Sequence, residues 1–424
     1  MILTLLILSI IILFLLRVPM AFAILGPSVV YFFLEGYTPH LAVRLVMQGI
    51  DSWPLLAVPL FILVGIVATR TEIADRLYDA ALLLLGPLRA GLAYVNIAVS
   101  LGFSWMSGAS LADAAGLGAI EVNHMRKKGY PAEFSVGLSA SSALISPIMP
   151  PSIPAVVFAS VAAVSTGALF AAAVLPAFIM TVALVVVVFL WSRRRPELVG
   201  DPYDWSEVRR AAVRALPPMG APVLILGGIL GGFFTPTEAA AVGALYMLLL
   251  ALSYRTLKMR DVATIFRDTA VITAQIMLII GASALLSWIL AREQVPQKVA
   301  EGLISLTDNP VIFLLIINVL LLFLGMLLEP TSALIIVTPI LLPVAITYGV
   351  DPLQLGSIVI FNLMIGLMTP PMGGVIFVLS SVTGIPIERV FKGAAFYLPA
   401  MIIVLLLITY VPAITLWLPR LIGL

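Results

Sequence analysis

The chain has 424 residues, of which 62% are hydrophobic and 10% charged, with a formal net charge of +2 and a mean hydropathy of +1.17. Soluble domains are about half apolar and a quarter charged, so this composition excludes a water-soluble fold, and the small net charge without a basic face excludes a nucleic-acid-binding protein. The absence of Cys removes thiolate chemistry, and His40 and His124 are too few for a multi-histidine metal site.

In a membrane a chain of this length makes roughly ten spans of about 20 residues. The first apolar run, residues 1–16, lacks a basic segment before it and is followed at once by Arg17, Pro19 and a second run at 19–35. It reads as a retained membrane helix rather than a signal peptide. Further runs lie at 54–69, 91–123, 131–160, 167–191, 218–233, 236–254, 268–291, 311–347, 353–385 and 391–418. Two segments between them, 37–52 and 292–308, mix charge with apolar residues and read as interfacial amphipathic helices, with plain loops as the alternative. In Thr235-Pro236-Thr237-Glu238 the pattern is that of a helix start, with a threonine cap, a proline in the first turn and a glutamate closing a capping box.

Basic clusters orient the chain: Arg70, Arg76 and Arg89; Arg126, Lys127 and Lys128; Arg193, Arg194 and Arg195 with Arg209, Arg210 and Arg214; and Arg255, Lys258 and Arg260. They share the cytoplasmic side only if the run at 91–123 enters and leaves on that side. Its middle, FSWMSGASLADAAGLG, is small and polar where lipid would select fatty residues. A re-entrant hairpin turning on Ser107, Gly108 and Ala109 fits, and its backbone must be buried in protein or line a cavity. The alternation then places Arg389 and Lys392 in the cytoplasm and both termini outside. The run at 311–347 is interrupted at Glu329, Pro330 and Thr331; a second hairpin from the opposite face and two ordinary spans fit it equally.

Pro150-Pro151 and Pro370-Pro371 both interrupt long apolar runs, and they are separated by nearly the same offset as Ser107–Ser110 and Pro330–Ser332. Each pair stops a helix and leaves carbonyls without intrahelical partners. Loose carbonyls suit a small hard cation, and the N-termini of the following half-helices suit an anion. Two halves of opposite orientation, each a hairpin followed by a broken helix, describe transport machinery. Two unrelated proline kinks are the plainer alternative.

The segments MSGASLADAAGLGAI, MRKKGYPAEFSVGLSASSALISPIMPPSIP, FFTPTEAAAVGALY and FNLMIGLMTPPMGG resemble, in that order and over essentially the whole chain, the large membrane subunit of tripartite ATP-independent periplasmic (TRAP) transporters. The resemblance implies an all-α polytopic membrane protein of the ion-transporter-superfamily type, an inverted-repeat elevator with two re-entrant hairpins and two broken helices. It implies scaffold helices and an arm at 1–90, a first transport repeat at 91–191, further scaffold and arm at 192–310, and a second transport repeat at 311–424. It also implies sodium-driven uptake of a small organic anion across the bacterial inner membrane, a carboxylate such as a sialic acid or dicarboxylate, or a sulfonate. The partners would be a small four-helix membrane subunit on a separate polypeptide and a soluble periplasmic substrate-binding protein; no organic cofactor is implied.

Carried onto these residues, one sodium site falls on Ser107, Ser110, Ser146, Met149 and Pro151, and a second on Gly325, Gly366, Thr369 and Met372. Ala109 carries a methyl where many relatives of that family carry a hydroxyl. The solute would lie among Ser107, Gly108, Thr331, Ser332, Asn362, Gly373 and Gly374. Asp113, just past the first tip, has either a functional role or a local capping or pairing role near the cytoplasmic end, since an intramembrane charge is costly. A channel remains an alternative, although the polar residues are localised rather than strung along a pore. An intramembrane hydrolase using Ser107 and His124 does not fit, because His124 sits among interfacial charges away from a midplane serine.

Overall fold

The computed structural model describes residues 2–16, 18–195, 197–198, 205–257, 259–370 and 373–424, and every extended regular element among them is a helix. Helices α1 (Ile2–Leu15) and α2 (Met20–Leu34) are parted just before Pro19-Met20, where proline closes the first run. Helix α3 (Pro39–Ile50) and a short 3-10 turn precede α4 (Ala57–Arg70) and α5 (Ile73–Leu85). The stretch expected to form the first repeat, called the first repeat below, comprises α6 (Gly91–Ser107), the single turn α7 (Ser110–Asp113), a π-helical turn at Ala114–Gly118, α8 (Ala119–Lys127), α9 (Ala132–Ser142), α10 (Ile153–Ala162) and α11 (Thr166–Ser192). Then follow α12 (Trp205–Leu230), α13 (Pro236–Ser253), α14 (Met259–Arg292) and α15 (Val295–Leu306). The stretch expected to form the second repeat, named so below, is α16 (Pro310–Leu327), α17 (Pro330–Thr347), α18 (Pro352–Gly366), α19 (Gly374–Thr383) and α20 (Ile387–Tyr410), followed by α21 (Ala413–Leu421).

Among the described residues, 8 helices are long and apolar enough to cross a membrane, which makes this a multi-pass membrane protein. Helices α10 and α19 are not among them: at 10 residues each they reach only about 15 Å, half of a hydrocarbon core of about 30 Å. Each follows another short apolar helix, α9 or α18, across an irregular segment. The segments at 37–52 and 292–308 are helical, as α3 and α15. At the start of α13 the Thr235 hydroxyl accepts from the Glu238 N–H (3.3 Å) while Glu238 Oε2 accepts from the Thr235 N–H (2.8 Å). That is a structural role for Glu238, read from local spacing alone.

Both stretches contain two successive short apolar helices, α9 with α10 and α18 with α19. Helix α9 crosses α20 with almost no space between backbones: a Cβ on Gly137 would lie 2.2 Å from the Gly393 carbonyl oxygen. Helices α10 and α17 pack together, and α19 packs on α7, on the π turn and on α8, so each repeat leans on the other. One large apolar core runs through both repeats. A smaller core gathers α4, α5, α6, α12 and α13, and another ties α14 to α1, α2 and α3.

Candidate functional site

The first helix of repeat one stops at Gly108, whose φ of +62° lies in the left-handed region that a side chain disfavours. Glycine is required twice over, because a Cβ there would stand 2.9 Å from the Pro151 carbonyl oxygen. The turn thus brings tip and helix break together. Helix α4 approaches from the other side, where a Cβ on Gly65 would lie 3.1 Å from Ser107 Cα. The chain re-enters helical structure at Ser110 and widens into the π turn immediately after Asp113. Single π turns inside helices are frequent at functional sites, and here the sequence Ala-Ala-Gly-Leu-Gly imposes little side-chain bulk.

The break between α9 and α10 is built by Ser146–Ser152, all buried. Ser152 caps α10 by accepting from the Ala155 N–H (3.2 Å) and donates its own proton to the Pro147 carbonyl (2.5 Å). Ser107, Ser110, Asp113 and Ser146 are all buried, with at most 5% of their surface exposed. The Ser107 hydroxyl donates to the Ala109 carbonyl at 3.4 Å. The carboxylate of Asp113 and the hydroxyl of Ser146 have no hydrogen-bond partner. Ser107 and Ser146 are the side chains that interact with that carboxylate, although neither completes a hydrogen bond to it. A buried anion held this way is strongly unfavourable unless a cation joins it. The Asp113 side chain makes no helix-cap hydrogen bond at the start of the π turn.

The second repeat repeats the theme with backbone alone. Gly325, near the end of α16, lies against the end of α18, and a Cβ on Gly366 would fall 2.5 Å from the Gly325 carbonyl oxygen. After Gly366 the chain makes tight turns through Leu367, Met368 and Thr369, whose N–H groups bond three residues back. The Thr369 hydroxyl donates to the Ile365 carbonyl (2.8 Å), leaving its lone pairs free to accept. Pro371 and Met372 lie outside the described residues, so the predicted role of Met372 and the centre of the second Pro-Pro break are not placed. Glu329 caps α17 by accepting from the N–H (2.9 Å) and hydroxyl (3.1 Å) of Ser332.

Of the residues expected around the solute, Ser107 and Gly108 sit at the first tip and Gly374 at the start of α19. A Cβ on Gly374 would lie 3.4 Å from Leu111 Cδ2 of the first hairpin, so that hairpin and the second break are neighbours. Thr331 and Ser332 open α17, which packs on α10 and α18. Asn362 is fully buried. Its NH2 group donates to Asn318 Oδ1 (2.7 Å) and to the Ile358 carbonyl (2.9 Å), and its Oδ1 is unpaired. Gly373 is buried beside the Leu367 and Thr369 carbonyls.

Sequence reasoning overlooked two polar groupings. One is a relay on α6, α8 and α9 linking Asn96, Glu121, Ser139 and Ser142; its signal was an isolated Asn in the first helix of each repeat, Asn96 and Asn318. The other is the bond between Tyr78 of α5 and His124 of α8, at 2.7 Å. No local pattern announces a contact between residues so far apart in the chain.

The comparisons agree with this architecture. A model of the family described as "Tripartite ATP-independent periplasmic transporter, DctM component" matches residues 7–414. The chain is 39% identical over 405 residues to the sialic acid TRAP transporter large permease protein SiaM of Vibrio cholerae, covering 95% of each chain. It is 35% identical to the C4-dicarboxylate TRAP transporter large permease protein DctM of Pseudomonas aeruginosa, covering 94% of this chain and 93% of that one. Its fold is similar to that of the YdaH transporter of Alcanivorax borkumensis, with a TM-score of 0.57 at 16% identity over 90% of this chain and 87% of the other. A multi-pass membrane chain with paired helix breaks and this match along nearly its whole length is a transporter subunit rather than an enzyme, and it belongs to the DctM-component family of tripartite ATP-independent periplasmic transporters.

Proposed function

We propose that this chain couples entry of sodium ions to uptake of a small organic anion across the inner membrane, with both termini on the periplasmic side. The observation that carries the reading is the unpaired carboxylate of Asp113 beside the unpaired hydroxyl of Ser146, at the junction of the first hairpin with the first break. Sodium takes oxygen ligands, and a carboxylate, serine hydroxyls and freed carbonyls at Ser107, Ser110, Ser146, Met149 and Pro151 supply them; hard-cation chemistry of this kind favours oxygen. The second ion takes backbone oxygens around Gly325, Gly366 and Thr369, with Met372 completing the set. The anion lies between the first tip and the second break, among Ser107, Gly108, Gly373 and Gly374, with Thr331, Ser332 and Asn362 contributed by the second repeat.

Carboxylates are the class favoured for the solute, since the two named relatives carry sialic acid and C4-dicarboxylates in their names. Residues 91–191 and 311–424 form the part that moves as an elevator. Residues 1–90 and 192–310 form the scaffold against which a small membrane subunit docks, and a periplasmic binding protein delivers the solute. The tripartite family supports both partners. The polar oxygens gather at tips and breaks, which favours a carrier over a channel.

Proteoliposomes holding the three components test the reading. Uptake is expected only under an inward sodium gradient, with saturation in solute, and Asp113→Asn is expected to abolish the sodium dependence. Uptake unaffected by reversing the sodium gradient overturns it.

A further inference from the structure

Glu121 lies on α8 between α6 and α9, with 3% of its surface exposed. Its Oε2 accepts from Asn96 Nδ2 and, at 3.4 Å, from the Ser139 hydroxyl. Its Oε1 has no partner. No base faces it among the described residues. The charged or titratable groups around it are Asp113, just past the hairpin tip, and Tyr78 of α5. Of the packed neighbours, α6 and α19 carry no charged residue, and Glu133 of α9 pairs with Arg389 (3.3 Å). On α8 itself His124, Arg126 and Lys127 are exposed.

A second asparagine-centred relay in the protein carries no anion. There Asn362 donates to Asn318 Oδ1 (2.7 Å), as Ser142 donates to Asn96 Oδ1 (2.7 Å) in the first repeat. Asn318 Nδ2 then donates to the Thr409 hydroxyl (3.0 Å), where Asn96 Nδ2 donates to Glu121. That relay ends on neutral groups, whereas the Asn96 NH2 group serves both the Ser139 hydroxyl (2.7 Å) and the Glu121 carboxylate. A carboxylate buried among neutral donors, with one oxygen bare, is strongly unfavourable without a counter-charge.

We infer that Glu121 Oε1 is a binding site for a small monovalent cation, a proton or Na+, separate from the oxygens gathered at Asp113. A proton converts the carboxylate to an acid whose O–H sits on Oε1, and Na+ bridges the same oxygen to neighbouring hydroxyls or carbonyls. The exposed His124 is one helical turn beyond Glu121 and bonds to Tyr78 (2.7 Å), so the site lies a short step from water. The site stands on its own geometry, whatever ion drives transport.

The test is equilibrium binding on purified protein in lipid nanodiscs, read as melting temperature against pH in choline chloride and against NaCl at fixed pH. Ligands that bind only the folded state raise its melting temperature. With a proton as occupant, Glu121→Gln loses a part of the pH dependence of melting that Asp113→Asn retains, and keeps the sodium response. With Na+ as occupant, Glu121→Gln loses a sodium-dependent increment that Asp113→Asn retains. Identical pH and sodium responses in wild type and Glu121→Gln overturn the inference. Should the variant not fold, infrared spectra of the protein carrying Asp113→Asn decide it. A buried acid carbonyl band at neutral pH, or a carboxylate band shifted by Na+, supports the site, and a carboxylate spectrum indifferent to both overturns it. Loss of sodium-driven uptake through Asp113 leaves these readouts unchanged, so the two conclusions fail separately.

Discussion

Gly366 and Gly325 touch backbone to backbone: a Cβ on Gly366 would lie 2.3 Å from the Gly325 carbonyl carbon. No side chain fits between the end of α18 and the first helix of its own hairpin. Gly366→Ala must therefore push the two apart, at an overpacking cost of about 1–3 kcal/mol. The melting temperature of the purified protein should fall by several degrees, and sodium-driven uptake should be lost. Gly102→Ala, in open space on α6, should leave both unchanged. Equal behaviour of the two variants would show that the contact is not tight.

At the first tip, Gly108→Ala meets the Pro151 carbonyl and a positive φ together. The left-handed conformation alone costs about 1–2 kcal/mol for an L-residue. Membrane insertion should be normal while uptake falls sharply, since the displaced atom is one of the carbonyls assigned to sodium. Retained sodium affinity in Gly108→Ala, measured by sodium-dependent melting, would remove Pro151 from the site.

Asp113→Asn removes a buried charge that has no protein partner. In sodium-free buffer the variant should be at least as stable as the wild type, because the unpaired anion is gone. In sodium it should fail to gain the stability that a bound ion confers, about 2.7 kcal/mol at a hundredfold excess over Kd. Thermal melts in choline and sodium chloride measure both. A sodium gain equal to that of the wild type would move the ion elsewhere.

The Tyr78–His124 bond ties α5, in the proposed scaffold, to α8, in the proposed moving part. If that bond breaks once per cycle, its net worth of about 0.5–1.5 kcal/mol translates into a rate change of roughly two- to tenfold. Tyr78→Phe should change turnover by that amount while leaving the solute concentration for half-saturation close to that of the wild type. A change confined to half-saturation would place the bond in solute binding instead.

Local chemistry decided much of this protein before any tertiary contact was considered. Long apolar runs specify membrane helices because backbone groups must be satisfied internally in lipid. Proline pairs at Pro150-Pro151 end a helix by removing a donor, and the break before α10 lies there. The small residues at Ser107, Gly108 and Ala109 mark a turn, and Thr235 with Glu238 marks a helix start. All of these effects act over one or two turns of chain, so they are legible in sequence.

Only the tertiary structure decided which oxygens go unpaired. The packing of α6, α8 and α9 leaves the Asp113 carboxylate and Glu121 Oε1 without hydrogen-bond partners. The same packing sets Gly366 on Gly325, Gly374 beside Leu111, and Tyr78 on His124. Each of these relations joins distant segments through buried geometry, and burial is a property of the assembled helices that no single stretch of sequence carries.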